Sequence, residues 1–213
     1  IDVSGAGTAI STSTAGSGAG GRVALGASRI ALRGGASVAA STSGSGGGGS
    51  VALIAVEDLA LTDGATVAAS TSADGAGGAI LLAGPRIAIG SGASVAANSS
   101  GGGAAGRIDV RASDALYLFG GAITTDAAAA DGGNIDVRAG RIIHLRDGEI
   151  STSVAGGAGA GGNIFIDPTF VILEDGSRVS ANAFGGPGGN ITLIADYFFA
   201  SIDSLVQASS TLG

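Results

Sequence analysis

A unit of about 28 residues recurs along this chain, and that period constrains the fold more than any single residue does. Two columns of anchors carry it. Val23, Val51, Ile80, Ile108, Ile135, Ile164 and Ile191 are separated by 28, 29, 28, 27, 29 and 27 residues. Val38, Val67, Val95, Ile123, Ile150, Val179 and Val206 are separated by 29, 28, 28, 27, 29 and 27. Columns that agree to within a residue define a repeat. Residues 1–21 read as a partial turn before the first whole one, because Ile10 precedes Val38 by 28.

Inside each unit apolar residues alternate, which is the period of a strand. One unit runs through Val23 and Leu25, then Ile30 and Leu32, then a Gly34-Gly35 corner, then Val38 and Ala40. Val and Ile dominate the anchors, as a pleated surface favours. No segment holds a 3.6-residue stripe, so helices are not expected. The fold class that follows is all-β: a right-handed parallel β-helix of 7–8 turns, with 27–29 residues and three short strands per turn. It makes one domain over 1–213, with turns starting near 23, 51, 80, 108, 135, 164 and 191. The corner column Gly35, Gly64, Gly92, Gly121, Gly148 and Gly176 predicts a positive φ there, with Asp203 tolerating it in the last turn. The third strand should bound a thin edge of core, since its inner residues include Ala40, Ala69, Ala97, Thr125, Thr152, Ala181 and Ala208. The Gly-rich connections, such as 44–49, should tolerate shortening because repeats already differ by two residues. One turn orders too many residues for its few buried side chains, so stability must come from stacking.

Composition removes several functions. The chain has 42 Gly, no Cys, no Met and no Trp, and all ten of its basic residues are Arg. Without Cys there is no disulfide, thiol nucleophile or thiolate metal site. A net charge of −7 with no basic run argues against nucleic acid. The apolar runs are too short for a membrane helix, and residues 1–20 lack the pattern of a signal peptide. A chain beginning at Ile1 and holding a fractional number of repeats reads as cut from a longer polypeptide.

The run Gly132-Gly133-Asn134-Ile135-Asp136-Val137 recurs as Gly161-Gly162-Asn163-Ile164-Phe165-Ile166 and Gly188-Gly189-Asn190-Ile191-Thr192-Leu193. With it come Leu173-Glu174-Asp175-Gly176-Ser177-Arg178-Val179 and Ile202-Asp203-Ser204-Leu205-Val206-Gln207. Over about 130–213 these resemble the C-terminal part of filamentous haemagglutinin-like exoproteins, the secreted partners of two-partner secretion systems in Gram-negative bacteria. The resemblance implies a right-handed β-helical shaft, export by an outer-membrane transporter, a secreted or cell-surface location, and an adhesive or matrix role towards host or matrix glycans or proteins. The family's Asn-Pro-rich secretion signature is not among these residues, so the resemblance is to shaft.

Polar groups that could carry chemistry are few. Asp109-Val110-Arg111 and Asp136-Val137-Arg138 place two carboxylates and two guanidiniums outward in register. β-Helical polysaccharide lyases use such groups, but this ladder ends at Leu81 and Phe165 and is expected to be a salt-bridge ladder between turns. His144 is the only His and should face outward. The Gly tracts lack the Lys and helix of a phosphate loop, and Asp74 and Asp131 are too sporadic for calcium repeats. The runs Ser11-Thr12-Ser13, Ser41-Thr42-Ser43, Ser70-Thr71-Ser72 and Ser151-Thr152-Ser153 suggest a hydroxyl row, interrupted at Asn98-Ser99-Ser100 and Thr124-Thr125-Asp126. Such a row could match ice or sugars, but its expected role is to bond along the stack. Tyr117 and Phe165 are outward aromatics, though no stacked sugar track is expected. No catalytic, cofactor or metal residue is assigned. The expected function is a non-enzymatic extracellular shaft. The alternatives are a carbohydrate-active β-helical enzyme, which would need a carboxylate-lined groove, and a self-assembling filament subunit whose uncapped ends pair end to end.

Overall fold

The computed structural model describes residues 1–212 and holds nineteen strands and no helix among them. A partial turn at the start contributes β1 (Asp2–Ser4) and β2 (Ala9–Ser11). Four turns follow with β3 (Arg22–Arg33) and β4 (Ser37–Ala39), β5 (Ser50–Leu61) and β6 (Thr66–Ala68), β7 (Ala79–Gly90) and β8 (Ser94–Ala96), and β9 (Arg107–Phe119) and β10 (Ala122–Ala127). Three more are built from β11 (Asn134–Ala139), β12 (Ile142–Arg146) and β13 (Glu149–Val154), from β14 (Asn163–Asp167), β15 (Phe170–Glu174) and β16 (Arg178–Ala183), and from β17 (Ile191–Leu193), β18 (Tyr197–Ala200) and β19 (Leu205–Ser210).

Each strand pairs in parallel with its counterpart one turn on, making an 11-stranded sheet and an 8-stranded one. The chain is a parallel β-solenoid of about seven turns, as the repeat predicts. Both anchor columns lie in register, for example Ile108 opposite Ile135 and Ile135 opposite Ile164. From Val51 to Ile164 the first column is about 1% exposed or less, and Val38 to Val179 of the other is fully buried.

The first two of the three strand segments run together in β3, β5, β7 and β9. The register shifts as the chain passes the corner, as between Ala27 and Arg29 and between Gly84 and Arg86. Small residues such as Gly26, Ala55 and Gly84 let the strand bend without breaking, and Pro85 sits where an irregular ladder needs no amide. Later turns break instead, at Gly140-Arg141 and at Pro168.

The Gly34-Gly35, Asp63-Gly64, Ser91-Gly92 and Asp175-Gly176 corners have positive φ at both residues. Such mirror-image turns favour Gly and Asp. Gly121 and Gly148 correct the expectation for this column. Their φ is not positive, and the left-handed residue is the preceding Gly120 or Asp147. They are glycine because a Cβ would press on the turn before, 2.8 Å from the Ile89 carbonyl oxygen and 2.5 Å from that of Leu118. Asp203 is not left-handed either.

A stricter glycine column lies just before the first strand. A Cβ on Gly49, Gly78, Gly106, Gly133, Gly162 or Gly189 would collide with the carbonyl oxygen of the glycine one turn back. The glycine tract folds against the end of the third strand and bonds to it, Gly49 N–H to the Ala40 carbonyl at 2.7 Å and Gly78 N–H to that of Ala69 at 2.6 Å. There is no room between them for a large side chain, which explains why the third edge of the core is thin. The tracts are therefore packed layers. Gly44 and Gly46 likewise leave no space for a Cβ, so residues 44–49 are not the slack connection that length variation implies.

The same edge leaves Thr125 and Thr152 fully buried with hydroxyls that bond to nothing. Leaving a buried polar group unpaired costs about 1–3 kcal/mol. Thr152→Val, nearly isosteric, is expected to stabilise the protein by about 1 kcal/mol, read as a higher melting temperature.

The last turn is the exception to the core. Val206 is 41% exposed and Phe198, in an inner column, 46%, while Ala208 is exposed and Ile191 and Leu193 only partly buried. Among the described residues no further turn stacks on them.

Candidate functional site: the outer faces of the coil

The outward residues of the first strand form the Asp/Arg ladder. Asp136 lies in register with Asp109 and Arg138 with Arg111, and the neighbouring positions are Leu81 and Phe165. The ion pairs, however, run along each strand and not between turns. Arg107 donates to both oxygens of Asp109, at 2.7 and 2.9 Å, and Arg138 reaches Asp136 at 2.8 Å. Residues two apart on a strand share a face, so this pairing needs no neighbouring turn. The hydrogen bonds to Asp109 hold the Arg107 guanidinium above its ordinary value. The Arg138 guanidinium also lies 4.8 Å over the Phe165 ring. Arg111 makes no ion pair.

Bridges between turns lie elsewhere, as in Arg86–Asp58 at 2.8 Å and Arg141–Asp114 at 2.8 Å. The Arg141 hydrogen bonds lower the Asp114 carboxyl below the usual range and raise Arg141 itself.

His144 faces outward but is not isolated. Its Nε2 is 2.9 Å from Glu174 Oε2, and its ring meets Phe119 edge-on at 4.9 Å. Tyr117 packs edge-on against Phe119 at 5.6 Å, and Arg146 lies 4.8 Å over Phe119. Phe170 and Tyr197 stack nearly parallel, 11° apart at 4.9 Å. Tyr117 meets Phe119 and His144 edge-on and Phe165 lies under Arg138, so neither belongs to a row of bare ring faces. Among the described residues no group of three or more His, Asp or Glu could hold a metal ion.

Two of the four hydroxyl runs, 41–43 and 70–72, are in register through Thr42 and Thr71, but the first and the last are displaced. Thr42 pairs with Thr14 and Thr71, not with Thr12, and Ser11 pairs with Ala39. Ser151 stacks between Thr124 and Ser180, so its run is displaced by two positions from that of Ser41. What does run along the coil is a mixed polar row through Ser41, Ser70, Asn98, Asp126 and Ser153. Ser70 N–H donates to Ser41 Oγ at 3.3 Å, Asn98 N–H to Ser70 Oγ at 3.1 Å and Asp126 N–H to Asn98 Oδ1 at 2.8 Å. Ser153 Oγ continues it to Asp126 at 2.6 Å. Asn98 and Asp126 thus extend the row that they were expected to interrupt. Thr42 points inward and donates to the Gly47 carbonyl at 3.0 Å. A second row uses the asparagines of the Gly-Gly-Asn motif: Asn163 donates to Asn134, and Asn190 to Asn163, each at 2.9 Å.

One concave region on the second sheet went unmarked in the sequence. A trough of about 450 Å³ crosses β10, β13, β16 and β19, with Ser151 and Ser180 in its lining and Glu149 and Arg178 along one side. Glu149 and Arg178 are register partners one turn apart, and each makes no ion pair. Counting outward positions from Ile150 and Val179 would have placed them together. A larger groove of about 720 Å³ lies over the glycine column, but its floor amides are already bonded, as Gly48 N–H is to the Ala76 carbonyl at 2.8 Å.

Fold and surface together define a parallel β-solenoid whose outer faces mix ion pairs, hydroxyl and amide rows with exposed apolar side chains such as Ile54 and Val56. Compared with protein-family models, curated proteins and solved structures, the chain matches none.

Proposed function

We propose that this chain is a non-enzymatic shaft segment of a secreted surface exoprotein of the filamentous haemagglutinin type, serving adhesion or matrix building. The observation that supports it is the uninterrupted stack: strand pairs in register link every turn, and the ladder carboxylates are engaged by their own arginines. The Gly-Gly-Asn motif adds to it, since its asparagines bond from turn to turn and so repeat for a reason of stacking. On this reading the parent polypeptide leaves the cell through a dedicated outer-membrane transporter. Antibodies raised against residues 1–213 should label intact source cells without permeabilisation, and a strain lacking the transporter should lose that labelling. Labelling only after permeabilisation contradicts the reading. Turnover of an acidic polysaccharide that Asp136→Asn abolishes would favour the enzyme alternative instead.

A second expectation concerns residues 1–213 as an isolated fragment, which should associate end to end, whereas in a longer parent polypeptide the coil simply continues. Ile202, Phe198, Leu205 and Val206 present apolar surface beside the unpaired edges of β17, β18 and β19. Such edges are templates for further strands. Purified residues 1–213 are expected to form rods in electron micrographs, with light scattering rising with concentration. A stable monomer with protected amides in β19 would contradict this.

A further inference from the structure

We infer that the trough on the second sheet binds a neutral, hydroxyl-rich ligand, a short oligosaccharide lying along the coil axis. The inference rests on the adhesive part of the reading above and names the site for it. The first observation is shape. Thr124, Ser151, Ser180 and Gln207 follow one another in register across four turns and line a trough of about 450 Å³. At about 4.8 Å per turn the column is about 14 Å long, more than one sugar ring needs.

The second is an unmet bond. Ser151 is 5% exposed, yet its hydroxyl bonds to no protein group and lines the trough. Buried hydroxyls normally have partners. The buried Thr125 and Thr152 hydroxyls are sealed in the core, whereas that of Ser151 is not among the sealed ones and can be reached from outside.

The third is the charge pair. Glu149 and Arg178 sit side by side in register without forming an ion pair, so a carboxylate and a guanidinium keep their full bonding capacity at the trough's side. A carboxylate accepts only and a guanidinium donates only. Adjacent sugar hydroxyls satisfy both, one donating to Glu149 and the next accepting from Arg178. An anionic ligand meets two carboxylates, Glu149 and Asp126, and an apolar ligand finds no wall except Leu205. A cation would use the carboxylates alone, whereas a neutral polyol uses carboxylate and guanidinium together. The same outward positions earlier in the coil are Ser37, Thr66 and Ser94, which offer no charged group.

Saturation-transfer NMR on purified residues 1–213 with maltotetraose, mannotetraose and β-1,4-galactotetraose tests this, with tetragalacturonate as the charged comparison. At least one neutral tetrasaccharide is expected to receive saturation. Glu149→Gln and Arg178→Ala should each weaken its binding about tenfold or more, as expected for loss of a hydrogen bond to a charged group. Thr66→Ala, on the same outward column away from the trough, should leave it unchanged. Both charge positions are exposed, and unaltered melting curves will show that the variants fold. No transfer to any neutral tetrasaccharide, binding that survives both variants, or preference for tetragalacturonate would overturn the proposal. Surface labelling of cells with no sugar binding would overturn this site alone, whereas sugar binding by a chain confined inside the cell would overturn the adhesive reading alone.

Discussion

Ile135→Asp is expected to cost about 5 kcal/mol or more and to melt several turns together. Ile135 is 1% exposed and packs in its column between Ile108 and Ile164. A carboxylate there has no partner, and the column of Val and Ile around it offers no donor. The buried isoleucine would also be lost, itself about 1.5–3 kcal/mol. Stability in a solenoid is a sum over neighbouring interfaces, so removing one turn's contribution weakens both of its neighbours. Hydrogen exchange should accelerate in β9 and β14 as well as in β11. Thr66→Asp, outward on β6, should change stability by only about 0.5 kcal/mol. Equal damage from the two substitutions in thermal melts would mean that the inward and outward faces have been misassigned.

Gly162→Ala is the second large effect, expected at about 3 kcal/mol for one methyl group. Its Cβ would fall on the Gly133 carbonyl oxygen and lie 2.9 Å from the Thr152 Cβ. These are backbone and core atoms with no room to withdraw. Gly64→Ala supplies the contrast. There φ is +74°, but nothing lies within 4 Å of the new Cβ, so only the left-handed conformation is penalised, at about 1 kcal/mol. If melting temperatures fall equally for the two, close approach between turns is not what fixes glycine before the first strand.

This contrast shows what the sequence makes legible and what it does not. The anchors from Val23 to Ile191 and from Val38 to Val206 are readable because burial in a stack repeats every turn, and one-dimensional spacing records it directly. The reason for a glycine is not readable in the same way. Gly64 and Gly148 share a column, yet one permits a positive φ and the other avoids the Leu118 carbonyl. The Ser/Thr runs misled because like was matched with like. Distance from the anchor sets register, and Ser151 is one residue after Ile150 whereas Ser41 is three after Val38. Glu149 and Arg178 are 29 residues apart and meet only through the coil. The exposure of Val206 follows from what stacks above it, which no residue of the last turn encodes.

The absence of Cys allows the central claim, one continuous stack in this register, to be measured directly. Ala9, Ser37, Thr66, Ser94, Ala122, Glu149, Arg178 and Leu205 are successive register partners on the second sheet. Spin labels on Ser37→Cys/Arg178→Cys span five steps, and labels on Ala9→Cys/Leu205→Cys span seven. At about 4.8 Å per step, pulsed electron resonance should give separations near 24 Å and 34 Å, each as a single narrow distribution. Equal separations, broad distributions or distances that do not grow with the number of turns would contradict the stack and everything placed upon it.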